Sequence, residues 1–340
     1  MNKFKLIVKT NNQSYPIIIG ENILIKSNSY IKSQIPNCKK IALIIDSKVP
    51  KKIVTQVKYA IRNFETLSIK INVDEKIKNI NTVSKLISKL LKKNFHRNDC
   101  LIALGGGVLS DLSGLTASLV KRGIKFINIP TTLLAQVDSA IGGKTGVNSQ
   151  YGKNLIGTFY QPDLVLTDIS TLNSLPKREI VCGYSEILKH SLILNKKFFF
   201  WLQKNGKNIL DLNDKQIIQY AIYNSCKIKA NIIKKDEKEN KLRKILNFGH
   251  TFGHAFEATK KFSNKMNHGE AVLIGMNCAN EFAFINKFLK KKDLDLIKKH
   301  YLKLKLPSKI NKFFRKKDLK NLIKFMKSDK KNVDSKINLI

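Results

Sequence analysis

Apolar residues run in short unbroken blocks through the first half of the chain and at helical spacing through the second. IALIID (41–46), CLIALGGG (100–107), GIKFINIPTT (123–132) and DLVLTD (163–168) are apolar runs closed by a carboxylate, glycine or proline. Such runs read as strands buried on both faces. Between them, VSKLISKLLKK (83–93) puts Val83, Leu86, Ile87, Leu90 and Leu91 on one helical stripe, and VLSDLSGLTASLV after Gly107 reads as a second helix. Strands alternating with helices predict βαβ units and a largely parallel, Rossmann-like sheet. Beyond this region the texture changes. No proline stands between Pro176 and Pro307, and REIVCGYSEILKHSLIL, DKQIIQYAIYNSCKIKANIIKK and HGEAVLIGMNCANEFAFINKF all have helical periodicity. The predicted fold class is therefore an α/β N-terminal domain over residues 1–173 followed by an all-α domain over residues 174–340.

At 340 residues the chain suits two domains of ordinary size. No apolar run approaches the ~20 residues of a membrane span. The N-terminal MNKFKLIVKT alternates like a strand and shows no signal-peptide pattern. The five cysteines are scattered and form no CxxC, which fits a reduced, cytoplasmic protein and argues against a disulfide framework. The net charge of +38 is spread over the whole chain and is mostly lysine, in a sequence also rich in Ile, Asn and Phe. That pattern reads as compositional drift toward AT-rich codons rather than nucleic-acid binding. It would still steer small anions.

Candidate chemistry concentrates in LNFGHTFGH and NHGEA. These place His250, His254 and His268, half of the six histidines, in one short region with Glu270 nearby. His250 and His254 share a helix face, so the cluster suggests a divalent metal site. In DEKENKLRKILNFGH, Glu239, Arg243 and Asn247 recur at a spacing of four, which predicts one helix face. Gly105, Gly106 and Gly107 join a strand to a helix, where a phosphate can approach the backbone, although the GxGxxG spacing is absent. IGGKTGVN (141–148) and YGKNLIGTFYQP (151–162) read as Gly-rich loops presenting Lys144 and Lys153 to an anion. Glu186 and Lys189 in GYSEILKH read, from spacing alone, as a surface ion pair.

Taken together, LIALGGGVLSDLSG, KRGIKFINIPTTLLAQVDSAIGGKTGVN, GKNLIGTFYQP, LPKREIVCGYSEILKH, LNFGHTFGHAFEA and HGEA resemble the 3-dehydroquinate synthase family. The resemblance implies an NAD-binding α/β domain, a helical metal-binding domain and a homodimer. It implies a carbon–oxygen lyase that converts 3-deoxy-D-arabino-heptulosonate 7-phosphate to 3-dehydroquinate and phosphate. The reaction would pass through transient NAD-dependent oxidation, phosphate elimination, re-reduction and aldol closure. By motif, Glu186, His250 and His268 become the ligands of Zn²⁺ or Co²⁺, and His254 is left to substrate or proton relay. Arg122, Asp138, Lys144, Asn154, Lys189, Lys229, Arg243, Asn247, His254 and Lys330 (or Lys331) match substrate-contacting positions. Lys144, Lys189, Glu239, Asn247 and His254 carry the catalytic expectation. Asp46, Glu75, Lys78, Gly106, Gly107, Val108, Asp111, Thr131, Thr132, Lys153, Thr171, Leu172, Asn173 and Ser174 match the NAD positions. Ser110 departs from the family pattern, replacing a glycine, and is expected to crowd the turn beside the cofactor. The alternative activity is that of another NAD- and metal-dependent sugar phosphate cyclase. A metal-dependent alcohol dehydrogenase would instead release NADH stoichiometrically.

Overall fold

The computed structural model describes residues 3–263, 265–327, 337 and 339–340. Two compact units emerge: Met1–Pro176 with Leu212–Lys238, and Lys177–Asp211 with Glu239–Ile340. This differs from the single boundary expected at residue 174. The helix Lys215–Lys235 packs on the first two strands and so joins the first unit. Its apolar stripe records that it packs, not which partner it packs on.

Among the described residues of the first unit, seven strands form one sheet. They are β1 (Phe4–Lys9), β2 (Ser14–Gly20), β3 (Lys40–Asp46), β4 (Glu65–Ile71), β5 (Cys100–Gly105), β6 (Lys125–Pro130) and β9 (Leu164–Asp168). The order is β1-β2-β9-β6-β5-β3-β4, with β1 antiparallel to β2 and all other neighbours parallel. The unbroken apolar runs are explained by burial on both faces. Ile41, Leu43, Ile45, Ile102 and Leu104 pack with Ile31, Ile53 and Val57 from helices Ser27–Gln34 and Lys51–Ala60. Ala42, Ile44, Leu101 and Ala103 turn the other way, onto Leu86, Leu90 and Leu109 from helices Ile80–Lys92 and Gly107–Leu119. The strand order reverses between β3 and β5, and at such a switch point α/β sheets bind their ligands. Asp46 ends β3 and Gly105 ends β5, so both stand at this point.

IGGKTGVN and YGKNLIGTFYQP, expected as loops, form an antiparallel hairpin of β7 (Lys144–Ser149) and β8 (Gly152–Phe159). Its glycines serve strand approach. A Cβ on Gly157 would lie 2.1 Å from the Thr145 carbonyl oxygen.

The second unit is helical throughout its described residues. Helix His268–Ile285 packs against His250–Thr259 and Lys177–Leu194. Two glycines permit the approach: a Cβ on Gly269 would lie 2.3 Å from Cys182 Cα, and one on Gly275 would lie 2.2 Å from the Gly249 carbonyl oxygen. Backbones this close bring the start of one helix, and His268 with it, against the middle of another. Among the described residues no helix is long and apolar enough to cross a membrane.

Candidate metal and cofactor sites

Within the second unit, Glu186, His250 and His268 bring one ligand atom each to within 4.8 Å of one another. His250 Nε2 lies 3.8 Å and His268 Nε2 3.7 Å from Glu186 Oε1. Each comes from a different helix: Glu186 from the middle of Lys177–Leu194, and the histidines from the first positions of His250–Thr259 and His268–Ile285. The Glu186 side chain is fully buried and forms a close ion pair with Lys189. It is therefore not the surface pair that spacing alone suggested. A Glu/His/His set with Glu186 and His250 buried and His268 half-buried offers one oxygen and two imidazole donors, which suits Zn²⁺ or Co²⁺.

The charge balance supports that fit. Burial opposes a charged ring at His268, but the carboxylates of Glu257 and Glu186 outweigh it and push its pKa up to about 10. Glu186 and Glu257 thus set two carboxylates around one imidazole, a donor set that favours a cation. His268 Nδ1 meets Glu257 Oε2 at 3.2 Å, leaving Nε2 turned toward Glu186. Glu257 was not expected from the sequence. The signal was present, since Glu257 falls seven residues after His250, two helical turns along the same face.

His254 follows His250 by one turn, its ring perpendicular and 5.3 Å away, and stands outside the ligand trio. The helix-face pairing of His250 with His254 as joint ligands is thus replaced by the set the resemblance implied. Glu270 also leaves the metal picture. Its two oxygens accept from Arg178 Nε and Nη2 at 2.8 and 2.6 Å, and Oε2 also accepts from the Asn267 backbone N–H in a capping box. Arg243 is buried. Asn247 Nδ2 donates to Glu239 Oε1 at 2.7 Å, but not from a shared α-helical face. Residues 242–247 form a 3₁₀ helix, and Glu239 sits before it in the left-handed region at φ 60°.

In the first unit, Lys229 Nζ donates to both the backbone oxygen and Oδ1 of Asp138 at 2.7 Å, fixing the aspartate in a π-helical turn. Around the switch point the expected NAD residues gather. Gly106 precedes the helix that Gly107 and Val108 begin, and its N-terminus has no side-chain cap. An uncapped N-terminus after a strand suits a phosphate. Lys78 Nζ donates at 2.5 Å to Asp111 Oδ2 and to Asn154 Oδ1. Burial pushes the Asp111 carboxyl up while Lys78 opposes it. Lys153 Nζ lies 3.6 Å from Glu75 Oε1. Asn154, expected to face substrate, is thus held in the Lys78 cluster. Asp46 Oδ1 accepts from the Lys48 N–H at 3.0 Å. Thr131 binds the Gly105 carbonyl through its backbone N–H, and Thr132 Oγ1 accepts from the Ala135 N–H.

The remaining expected residues lie elsewhere in the fold. Thr171 is buried, donates to the Asp168 carbonyl and accepts from Gln136 Nε2, while Leu172 is buried and Ser174 Oγ donates to the Thr171 carbonyl. With Asn173 they form a 3₁₀ turn whose named polar groups serve the fold. Lys144 opens β7 and is exposed. Arg122 is exposed in a left-handed turn at φ 62°, beside Lys121 at φ 53°. Lys330 and Lys331 lie outside the described residues. Ser110 does not crowd the glycine turn. It sits inside the helix and donates to Asn128 Oδ1 on β6 at 2.8 Å.

Comparison with known proteins identifies the family. The family descriptions "3-dehydroquinate synthase N-terminal" and "3-dehydroquinate synthase C-terminal" match residues 68–182 and 183–332. A 3-dehydroquinate synthase of Pelagibacter ubique is 55% identical over all of this chain and 92% of its own length. A crystal structure of 2-deoxy-scyllo-inosose synthase with carbaglucose-6-phosphate, NAD⁺ and Co²⁺ aligns with TM-score 0.87 at 26% identity, covering 98% of this chain and 89% of that one. The 2-epi-5-epi-valiolone synthase of Streptomyces hygroscopicus subsp. jinggangensis, with NAD⁺ and Zn²⁺ bound, aligns at 0.85 and 25%, covering 97% and 90%. With its motifs matched across both halves and a relative this similar over its whole length, the chain belongs to the 3-dehydroquinate synthase family.

Proposed function

We propose that the chain converts 3-deoxy-D-arabino-heptulosonate 7-phosphate to 3-dehydroquinate and phosphate, the second step of the shikimate pathway, as a cytoplasmic homodimer. The observation that carries this reading is the convergence of ligand atoms from Glu186, His250 and His268 to within 4.8 Å of one another. When bound, NAD supplies a hydride acceptor that is restored each turnover, and a divalent ion at the Glu/His/His set polarises the substrate alcohol.

The chain's own residues supply binding and proton handling. Lys144, Lys189, Lys229 and Arg243 give cationic donors for a substrate that carries both phosphate and carboxylate. Asp138, fixed by Lys229, orients a hydroxyl. Lys189 forms a close, buried ion pair with Glu186 and holds that side chain in place. Glu239 and Asn247 act as a bonded pair, Asn247 binding substrate and Glu239 available to move a proton. His254, beside His250 but outside the ligand set, relays a proton or binds a substrate oxygen. Arg122, exposed on its left-handed turn, reaches toward the phosphate bound by a second copy. Asp46, Glu75, Lys78, Gly106, Gly107, Val108, Asp111, Thr131, Thr132 and Lys153 frame the NAD site. The spread of positive charge serves small anions rather than nucleic acid.

The test is to supply NAD, zinc and the heptulosonate phosphate to the pure protein. Phosphate should be released with no accumulating NADH, and a chelator should stop it. NADH rising in step with product would indicate a dehydrogenase. Turnover of a glucose 6-phosphate analogue in preference to the heptulosonate would indicate a different cyclase.

A further inference from the structure

Asn148, the last residue of IGGKTGVN, has no part in the roles assigned above, yet it joins two residues of the proposed NAD site, Glu75 and Lys78, to Asn154. The β7–β8 ladder loses its register between Val147 and Ser149, and Asn148 stands at that break. Its backbone N–H donates to the Lys78 carbonyl at 2.8 Å. Its Nδ2 donates to Glu75 Oε1 at 2.8 Å, and its Oδ1 accepts from the Asn154 N–H at 3.0 Å. Asn154 is left-handed at φ 55°, and from that conformation its Oδ1 accepts from Lys78 Nζ. Register breaks of this kind re-aim side chains next to functional sites.

We infer that Asn148 is a positioning residue for dinucleotide binding, clasping the hairpin to the 75–78 loop so that Glu75 and Lys78 are held in one geometry. This rests on the reading that Glu75, Lys78 and Asp111 hold NAD. Asparagine is the side chain that fits the role. It offers a donor and an acceptor on a short stem. Aspartate lacks the donor and would set a second carboxylate against Glu75. Serine is too short to span both partners, and glutamine adds a methylene to a bridge already at hydrogen-bond distance at both ends. The clasp acts on the cofactor residues, so its loss changes NAD affinity and leaves sugar phosphate binding alone.

The experiment swaps donor and acceptor across the Asn148–Glu75 hydrogen bond in the full-length, metal-loaded protein. Asn148→Asp should raise the Kd for NAD about ten- to hundred-fold, the effect of losing a hydrogen bond to a charged group. KM for the sugar phosphate and kcat at saturating NAD should stay within about twofold, a split that general loosening of the fold would not produce. Adding Glu75→Gln restores a donor facing the introduced carboxylate. The double variant should therefore bind NAD at least about tenfold more tightly than the two single effects predict together. Should Asn148→Asp fail to fold, Asn148→Ser removes the Nδ2 donor without adding charge and should weaken NAD about threefold or more. An unchanged Kd in the soluble Asn148 variant, or strictly additive effects in the double variant, overturns the inference. Failure of the unsubstituted protein to bind NAD would instead overturn the functional reading on which it rests.

Discussion

Glu257 offers the sharpest test of how the metal site is built. Its carboxylate touches His268 Nδ1 at 3.2 Å, fixes which ring nitrogen faces Glu186 and adds negative charge behind a proposed ligand. Carboxylates in this position typically contribute 10- to 100-fold to metal affinity. That range corresponds to about 1.4–2.7 kcal/mol. Glu257→Gln keeps the size and one acceptor but removes the charge, and it should weaken zinc binding about tenfold, the lower end of that range. Glu257→Ala removes the acceptor as well, frees the ring to turn and should approach a hundredfold. Zinc affinity is read by competition against a fluorescent chelator, with circular dichroism confirming that each variant is folded. Activity at saturating zinc should recover to within about threefold, because Glu257 contacts the proposed ligand His268 and is given no substrate role. Zinc affinities within twofold of the unsubstituted protein for both variants would refute the orienting role.

Three further outcomes follow from the same geometry. Glu270→Gln should lower stability by about 0.5–2 kcal/mol through the capping box and the Arg178 pair, with zinc stoichiometry by elemental analysis unchanged; lost zinc would return Glu270 to the ligand set. Gly157→Ala forces a Cβ against the Thr145 carbonyl and should cost about 1–3 kcal/mol in urea denaturation while raising the Kd for NAD through the hairpin. Burial, with a smaller contribution from Lys303, pushes the pKa of His300 down to about 4, and its Nε2 pairs with the Tyr184 hydroxyl at 2.9 Å. The unfolded chain binds a proton at His300 near pH 6.5 and the folded one does not until about pH 4. Stability is therefore complete above pH 6.5 and falls by up to about 1.4 kcal/mol per pH unit between those values. His300→Gln should flatten that limb of the stability profile, and an unchanged slope would count against it.

The central sheet was legible because its strands are buried on both faces, so each writes an unbroken apolar run such as IALIID or CLIALG. The β7–β8 hairpin was not. Its strands carry Lys144, Gly146, Gly152, Lys153 and Gly157, and the outer one is mostly exposed, so no apolar run marks it. Helix Lys215–Lys235 was visible as a helix, but its assignment to the first unit depends on packing that periodicity does not encode. The proposed metal ligands divide in the same way. His250 and His268 stand out as rare residues in one segment. Glu186 reads as an ordinary i,i+3 partner of Lys189 until three helices bring it beneath the histidines. The spacing of Glu239, Arg243 and Asn247 promised one α-helical face. The chain instead turns left-handed at Glu239 and still brings it to Asn247, so the pairing survives without the helix that suggested it.

The proposed reaction turns on a transient oxidation in which the same hydrogen leaves and returns while phosphate is lost. Turnover of heptulosonate phosphate deuterated at C5, with NAD and zinc supplied, reads that step. The 3-dehydroquinate formed should retain the deuterium, with one phosphate released per product and no deuterated NADH in solution, and His268→Ala should abolish all of it. Deuterium found on released NADH, or a product that has exchanged it for solvent hydrogen, would contradict the proposed reaction.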